Sequence, residues 1–413
     1  MVLPNFKENL AKYAKLLVST GINVQPGHTV QLTIAVDQAE LARLIVKEAY
    51  ALGAAEVLVN WSDDVIARER LVNVDVERLE QVHPQRVTEM NYLLEHKSSR
   101  LVVLSDDPGA YDGVDPEKLS RSARAISQAL NPMRQATQAN KISWTLGAAS
   151  GLEWAKKVFP NATSDEEAVD LLWDQIFKTC RIYEEDPIKA WEEHEARLVA
   201  KAKVLNDEQF VKLHYTAPGT DLVLGMPKNH LWEAAGSINA QGEKFIANMP
   251  TEEVFTAPDY RVADGYVTST KPLSYNGNII EGIKVTFKDG EIVDVTAEKG
   301  DEVIKKLVFD NAGARGLGEV ALVPDKSPIS QSGVTFFNTL FDENASNHLA
   351  IGQAYAFSIE GGTEMSQEEL KEAGLNRSDV HVDFMIGSNK MNIDGIREDG
   401  THVPIFRDGE WAI

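Results

Sequence analysis

Along the first half of the chain, short apolar runs with a two-residue repeat alternate with longer stretches whose apolar positions return every three to four residues. HTVQLTIAV (28–36) leads into DQAELARLIVKEAYALG, AEVLVNW (55–61) into DDVIARERL, and RLVVLSD (100–106) into DPEKLSRSARAISQAL. Strand side chains alternate faces while helical ones share a face every 3.6 residues, so the pattern is a βα alternation. It predicts a mainly parallel sheet flanked by helices. KISWTLG (141–147) reads as a further strand. At the amino end Leu10, Tyr13, Leu16 and Leu17 fall on one helical face, and Gly21 follows as a stop signal.

A new helix is expected from Asp186 as N-cap and Pro187 in the first turn, with a stripe of Ile188, Trp191, Leu198, Ala202 and Leu205 running to about Asn206. Past that point FVKLHY, DLVLGM, GYVTST, IKVTF and EIVDVTA read as short strands separated by Ala-Pro-Gly, Asn-Gly and Asp-Gly turns. Asp289-Gly290, between two such runs, is a strong hairpin signal. The fold class expected is α/β plus α+β. An amino-terminal α/β domain would occupy residues 1–200, and a β-rich catalytic domain residues 201–413. A length of 413 residues agrees with more than one hydrophobic core.

Composition narrows the partners. Apolar residues make up 43% and charged residues 25%, as in ordinary globular chains. The formal charge of −22, from 41 Lys and Arg against 63 Asp and Glu, disfavours nucleic acid and anionic membrane as partners, because both need clustered cations. No window approaches the roughly 20 apolar residues that cross a bilayer, and the amino terminus reads as an amphipathic helix rather than a signal peptide. The single cysteine, Cys180, excludes an internal disulfide and a thiolate zinc cluster. It lies in a helix-period segment and reads as packing, with a reduced, cytoplasmic location expected.

The candidate chemistry falls in the second half. In HVDFMIG, read as a strand, Val382, Phe384 and Ile386 share one face while His381 and Asp383 share the other. NMPTEEVFTAPD carries Glu252 and Glu253 between prolines that interrupt regular structure. GARGLGEVALV ends a glycine-rich loop at Glu319, and FDENASNHLAIGQAYAF carries Glu343, His348 and Tyr355. A nucleotide-cradling role for GARGLGE is disfavoured, since Pro324 and Pro328 argue against the helix that should follow. Its glycines would instead let backbone pack closely around the Glu319 carboxylate. If Glu253, Glu319, Glu343, His348, His381 and Asp383 converge, four carboxylates balance two divalent cations, and two imidazoles add neutral donors. That is an inventory for a dinuclear hydrolase.

The runs NMPTEEVFTAPD, GARGLGEVALV, ENASNHLAIGQAY and HVDFMIG together resemble the aminopeptidase T, PepS and aminopeptidase S family of dinuclear metalloaminopeptidases, and the resemblance extends over essentially the whole chain. It implies a homodimeric exopeptidase that removes amino-terminal residues from peptides with a free N-terminus, using two divalent ions (Zn, Co or Mg) to activate water. It carries the metal ligands onto Glu253, Glu319, Glu343, His348, His381 and Asp383, with Glu319 as the bridge, and places Tyr355 beside them. Tyr355 is expected to stabilise the oxyanion. Either a ligand such as Glu253 or the adjacent Glu252 would shuttle the proton. The alternative is a non-catalytic, metal-stabilised binding protein, whose structural calcium would call for oxygen donors alone.

Overall fold

Four strands, β1 (Thr29–Ala35), β2 (Glu56–Ser62), β3 (Ser98–Leu104) and β4 (Ser143–Ala148), pair in parallel in the order β2-β1-β3-β4. They belong to a computed structural model that describes residues 3–275 and 278–413. Helices intervene between these strands, among them Ala39–Ala51, Asp64–Asn73 and Pro116–Ala129, as the βα alternation requires. The amino-terminal helix Phe6–Leu16 buries Leu10, Tyr13 and Leu16, then continues as a wider turn through Leu17–Gly21. Cys180 is fully buried and its carbonyl accepts from Trp191 Nε1, which fits a packing role.

Two compact units divide the chain. One comprises Met1–Glu192 with Gly236–Pro250, the other Glu193–Ala235 with Thr251–Ile413. The segment Gly236–Pro250 joins the first unit because Leu146 of β4 exchanges backbone hydrogen bonds with Ala247 and Met249, adding an edge to the parallel sheet. The helix Pro187–Glu208 is capped by the Asp186 carboxylate, which accepts from the backbone N–H groups of Ile188 and Lys189.

The second unit is built on antiparallel sheets. An eight-stranded sheet includes Lys212–Ala217, Thr220–Gly225, Asp259–Thr268, Lys284–Lys288 and Glu291–Thr296. Its hairpin at Asp289-Gly290 has positive φ at both central residues, 51° and 87°, the geometry for which Asp-Gly is favoured. The expected Asn276-Gly277 turn lies outside the described residues. A second sheet is a four-stranded meander of β5 (Val254–Thr256), β6 (Leu317–Leu322), β7 (His348–Gly352) and β8 (His381–Met385), paired in chain order. β5 lies inside the proline-flanked run expected to be irregular. Three ladder pairs with β6 suffice to extend it, since Pro250 and Pro258 fall outside the strand. Among the described residues no helix is long and apolar enough to cross a membrane.

Candidate metal centre

The register of the meander decides which side chains meet. Glu319 of β6 faces Ala350 of β7, which faces Asp383 of β8; Gly352 pairs with His381, and His348 pairs with Ala321. Directly paired residues project to the same side, and so do residues two apart. Glu319, His348, His381 and Asp383 therefore share one face, and Ala321, Ala350 and Gly352 leave room between them. The opposite face is core, with Leu349, Ile351, Phe384 and Ile386 wholly buried. This is the alternation expected of HVDFMIG. Glu253 precedes β5, two residues from Phe255, and so emerges on the ligand face.

Two groups of donors form there. Glu253, Glu319 and His348 each place a donor atom within 4.8 Å of the others, and so do Glu319, His381 and Asp383. His348 Nε2 lies 3.2 Å from Glu253 Oε2 and 3.5 Å from Glu319 Oε1. His381 Nε2 lies 3.7 Å from Glu319 Oε2 and 3.5 Å from Asp383 Oδ1. Glu319 thus turns one oxygen toward each group.

The imidazoles are held by their other nitrogens. His348 Nδ1 is 3.1 Å from the carbonyl of Ser346, and His381 Nδ1 is 2.7 Å from the carbonyl of Gln353. A carbonyl only accepts, so each Nδ1 carries the proton and each neutral ring aims an Nε2 lone pair at carboxylate oxygens. Lone pair against lone pair is repulsive unless a proton or a cation lies between them. Glu253 Oε2 and Asp383 Oδ1 are in addition buried without a sound hydrogen bond. The donor set is therefore suited to divalent cations.

Without a cation, protons must take up this role. Burial raises the Glu319 carboxyl, and it raises Glu343 still more, with Glu253 and Asp383 adding repulsion. Burial works against a charged His348, but the Glu253 and Glu319 carboxylates outweigh it and hold this imidazole well above its usual range. His381 is likewise opposed by burial, yet Asp383 and Glu319 push it up to about 10. Burial raises Asp383, but the His381 and His348 imidazoles and a backbone hydrogen bond together outweigh it and leave this carboxyl below its ordinary value.

The model for thermophilic metalloproteases (M29) matches residues 6–411 of the chain. The chain belongs to this family. Relatives align along their full length. Aminopeptidase PepS of Streptococcus thermophilus is 73% identical, covering all of both chains, and aminopeptidase AmpS of Bacillus subtilis is 49% identical over 99% of this chain and 100% of its own. The solved structure of wild-type AmpT from Thermus thermophilus superposes with a TM-score of 0.93 at 40% identity, covering 99% of this chain and all of that one. This M29 chain is a peptidase, a hydrolase of the metalloprotease class.

Two candidate residues of the M29 chain stand slightly apart. Glu343 is outside both donor groups, and its carboxyl interacts most strongly with Glu253 and Asp383. It lines a small cavity with Leu273, Ser274, Thr339 and Met385 that reaches Asp383. Tyr355 stacks on Phe357, with ring centres 5.2 Å apart, and packs against the His381 ring at 4.9 Å. Burial, reinforced by Glu319 and Asp383, holds its hydroxyl well above the usual phenol range, so it stays protonated. Glu252 is turned to a different partner, its Oε2 3.5 Å from His194 Nε2.

The glycine-rich loop approaches other backbone closely. A Cβ on Gly318 would strike the Gln353 carbonyl oxygen, and one on Gly313 the Arg377 carbonyl. These glycines let backbone meet backbone closely next to the strand that presents Glu319. The loop also runs from a helix, Asp301–Asp310, into a strand, the reverse of a phosphate-binding loop. Asn344 and Asn347 carry no sequence signal beyond their place in ENASNH, where two amides lie between two candidate ligands.

Proposed function

We propose that this M29 chain is an aminopeptidase holding two divalent cations, one through Glu253, Glu319 and His348 and the other through Glu319, His381 and Asp383, with Glu343 completing the set. The observation that carries this reading is the position of Glu319, which has one oxygen in each donor group. Zn, Co or Mg would supply Lewis acidity when bound, polarising the scissile carbonyl and bringing the pKa of water near 7.

The chain's own groups supply the rest. The protonated Tyr355 hydroxyl is a hydrogen-bond donor for an oxyanion developing beside His381, and the stacked Phe357 restricts its ring. Glu253 would accept the proton lost by the attacking water on the oxygen it does not give to a cation, and pass it to the leaving amine. Glu252 is less suited to that role because its carboxylate faces His194. The calcium-binding alternative fits poorly, since an imidazole stands in each donor group and hard cations favour oxygen. A homodimer in a reduced cytoplasm is part of the same reading, compatible with the single buried cysteine.

The test is hydrolysis of one peptide with its α-amino group free or acetylated, before and after chelation. Only the free peptide should be cleaved, and chelation should abolish turnover until a divalent ion is restored. Cleavage of the acetylated peptide would contradict the exopeptidase reading.

A further inference from the structure

The stretch between Glu343 and His348 ties the ligand-bearing segments together outside the β-ladder. Asn344 is wholly buried, and its Oδ1 accepts from the backbone N–H of Glu252 at 2.8 Å, one residue before Glu253. Its Nδ2 donates to the Leu340 carbonyl at 3.1 Å and lies 3.4 Å from Glu343 Oε1. One amide thus spans two segments 92 positions apart, each carrying a candidate ligand. Asn347 makes the corresponding link to the Glu319 strand, since its Oδ1 accepts from Val323 N–H at 2.8 Å. Glu253 lies just ahead of β5, a strand of three residues that pairs with β6 on one side and, through Phe255, with Glu233 on the other, and neither pairing reaches Glu253 itself.

We infer that Asn344 is a positioning residue for one half of the metal centre. It holds the Glu253 backbone so that the Glu253, Glu319 and His348 donors close on a cation, and it has no comparable hold on His381 and Asp383. The inference rests on the two-cation reading above. A ligand set loosened at one member loses affinity for its own ion first, typically about 10- to 100-fold.

The experiment follows Co(II) uptake by the full chain, through the visible absorption of the bound ion and competition with a chelator, in wild type, Asn344→Ala and Asn344→Asp. Wild type should take up two equivalents tightly. In Asn344→Ala one equivalent should stay as tight, while the other weakens about 10- to 100-fold with a changed spectrum. Asn344→Asp keeps the oxygen that accepts from Glu252 and should retain more of that affinity than the alanine variant. If Asn344→Ala does not fold, Asn344→Ser, whose hydroxyl is too short to span the gap, takes its place in the same comparison. Equal weakening of both equivalents would reduce Asn344 to a general structural role, and unchanged uptake would remove it from the centre. Either result overturns the inference. A wild type that binds no metal would instead overturn the reading of the site itself.

Discussion

Glu319→Gln should lower kcat/KM by about 1,000-fold or more, a loss of ~4 kcal/mol in transition-state stabilisation. The substitution preserves shape and removes one negative charge, so any loss reports on charge and ligation more than on packing. Glu319 is the only described side chain with a donor atom in both groups, and it lies 3.5 Å from His348 Nε2 and 3.7 Å from His381 Nε2. An amide there offers one weaker donor oxygen and an NH2 group that turns a hydrogen toward one imidazole. Both cations should be affected together. His381→Ala, by contrast, removes a donor from a single group and should leave the Glu253, Glu319 and His348 half able to bind. Measuring kcat/KM alongside metal content for the two variants separates these outcomes, and a Glu319→Gln enzyme within tenfold of wild type would show that the shared carboxylate is dispensable.

Chelation at neutral pH should lower the melting temperature of the second unit by about 10–20 °C. Ions that bind only the native state stabilise it by mass action, about 2.7 kcal/mol for each ion present at a hundred times its Kd. For a folding unit of this size, 1 kcal/mol moves Tm by roughly 2–4 °C. The size of the gap should depend on pH, and its sign follows from the shifts at the site. Glu319, Glu343, His348 and His381 are all raised in the folded, metal-free chain, His381 to about 10. A raised group stabilises the fold below its unfolded pKa, and that contribution is lost as pH climbs through the folded value. Asp383 is lowered, so its contribution is already present at neutral pH and is lost only toward acid. The metal-free chain should therefore weaken from pH 7 toward pH 10, while cations replace those protons in the loaded chain. Scanning calorimetry across that range should show the gap widening with pH. A gap that is absent, or that narrows as pH rises, would show that the carboxylates are not crowded as described.

Much of this site was legible from local pattern because its strands are two-sided. In HVDFMI the period of two separates Phe384 and Ile386 from His381 and Asp383, and the structure keeps that division since one face must be core. Register was not legible. That Glu319 lies across from Ala350 and then Asp383 depends on a bulge between Leu317 and Glu319, which no local spacing announces. The orientation of the two imidazoles depended on the carbonyls of Ser346 and Gln353, which are backbone atoms and have no signature in residue type. β5 was hidden for a different reason. Its three residues sit between prolines, and its pairing with β6 is a tertiary event that overrides a sequence favouring irregular chain. The amides of ENASNH were visible as letters, yet an Asn whose partner lies 92 positions away cannot be told from a turn residue by sequence alone.

One shared carboxylate, Glu319, is proposed to organise two cations that the chain needs for peptide hydrolysis. Elemental analysis of the purified chain, with peptidase activity followed as a divalent ion is returned to the chelated protein, tests it most directly. Two ions per chain are expected, with no turnover in their absence and full activity only when the second equivalent is bound. Activity in the metal-free chain, or full activity with a single ion bound, would contradict it.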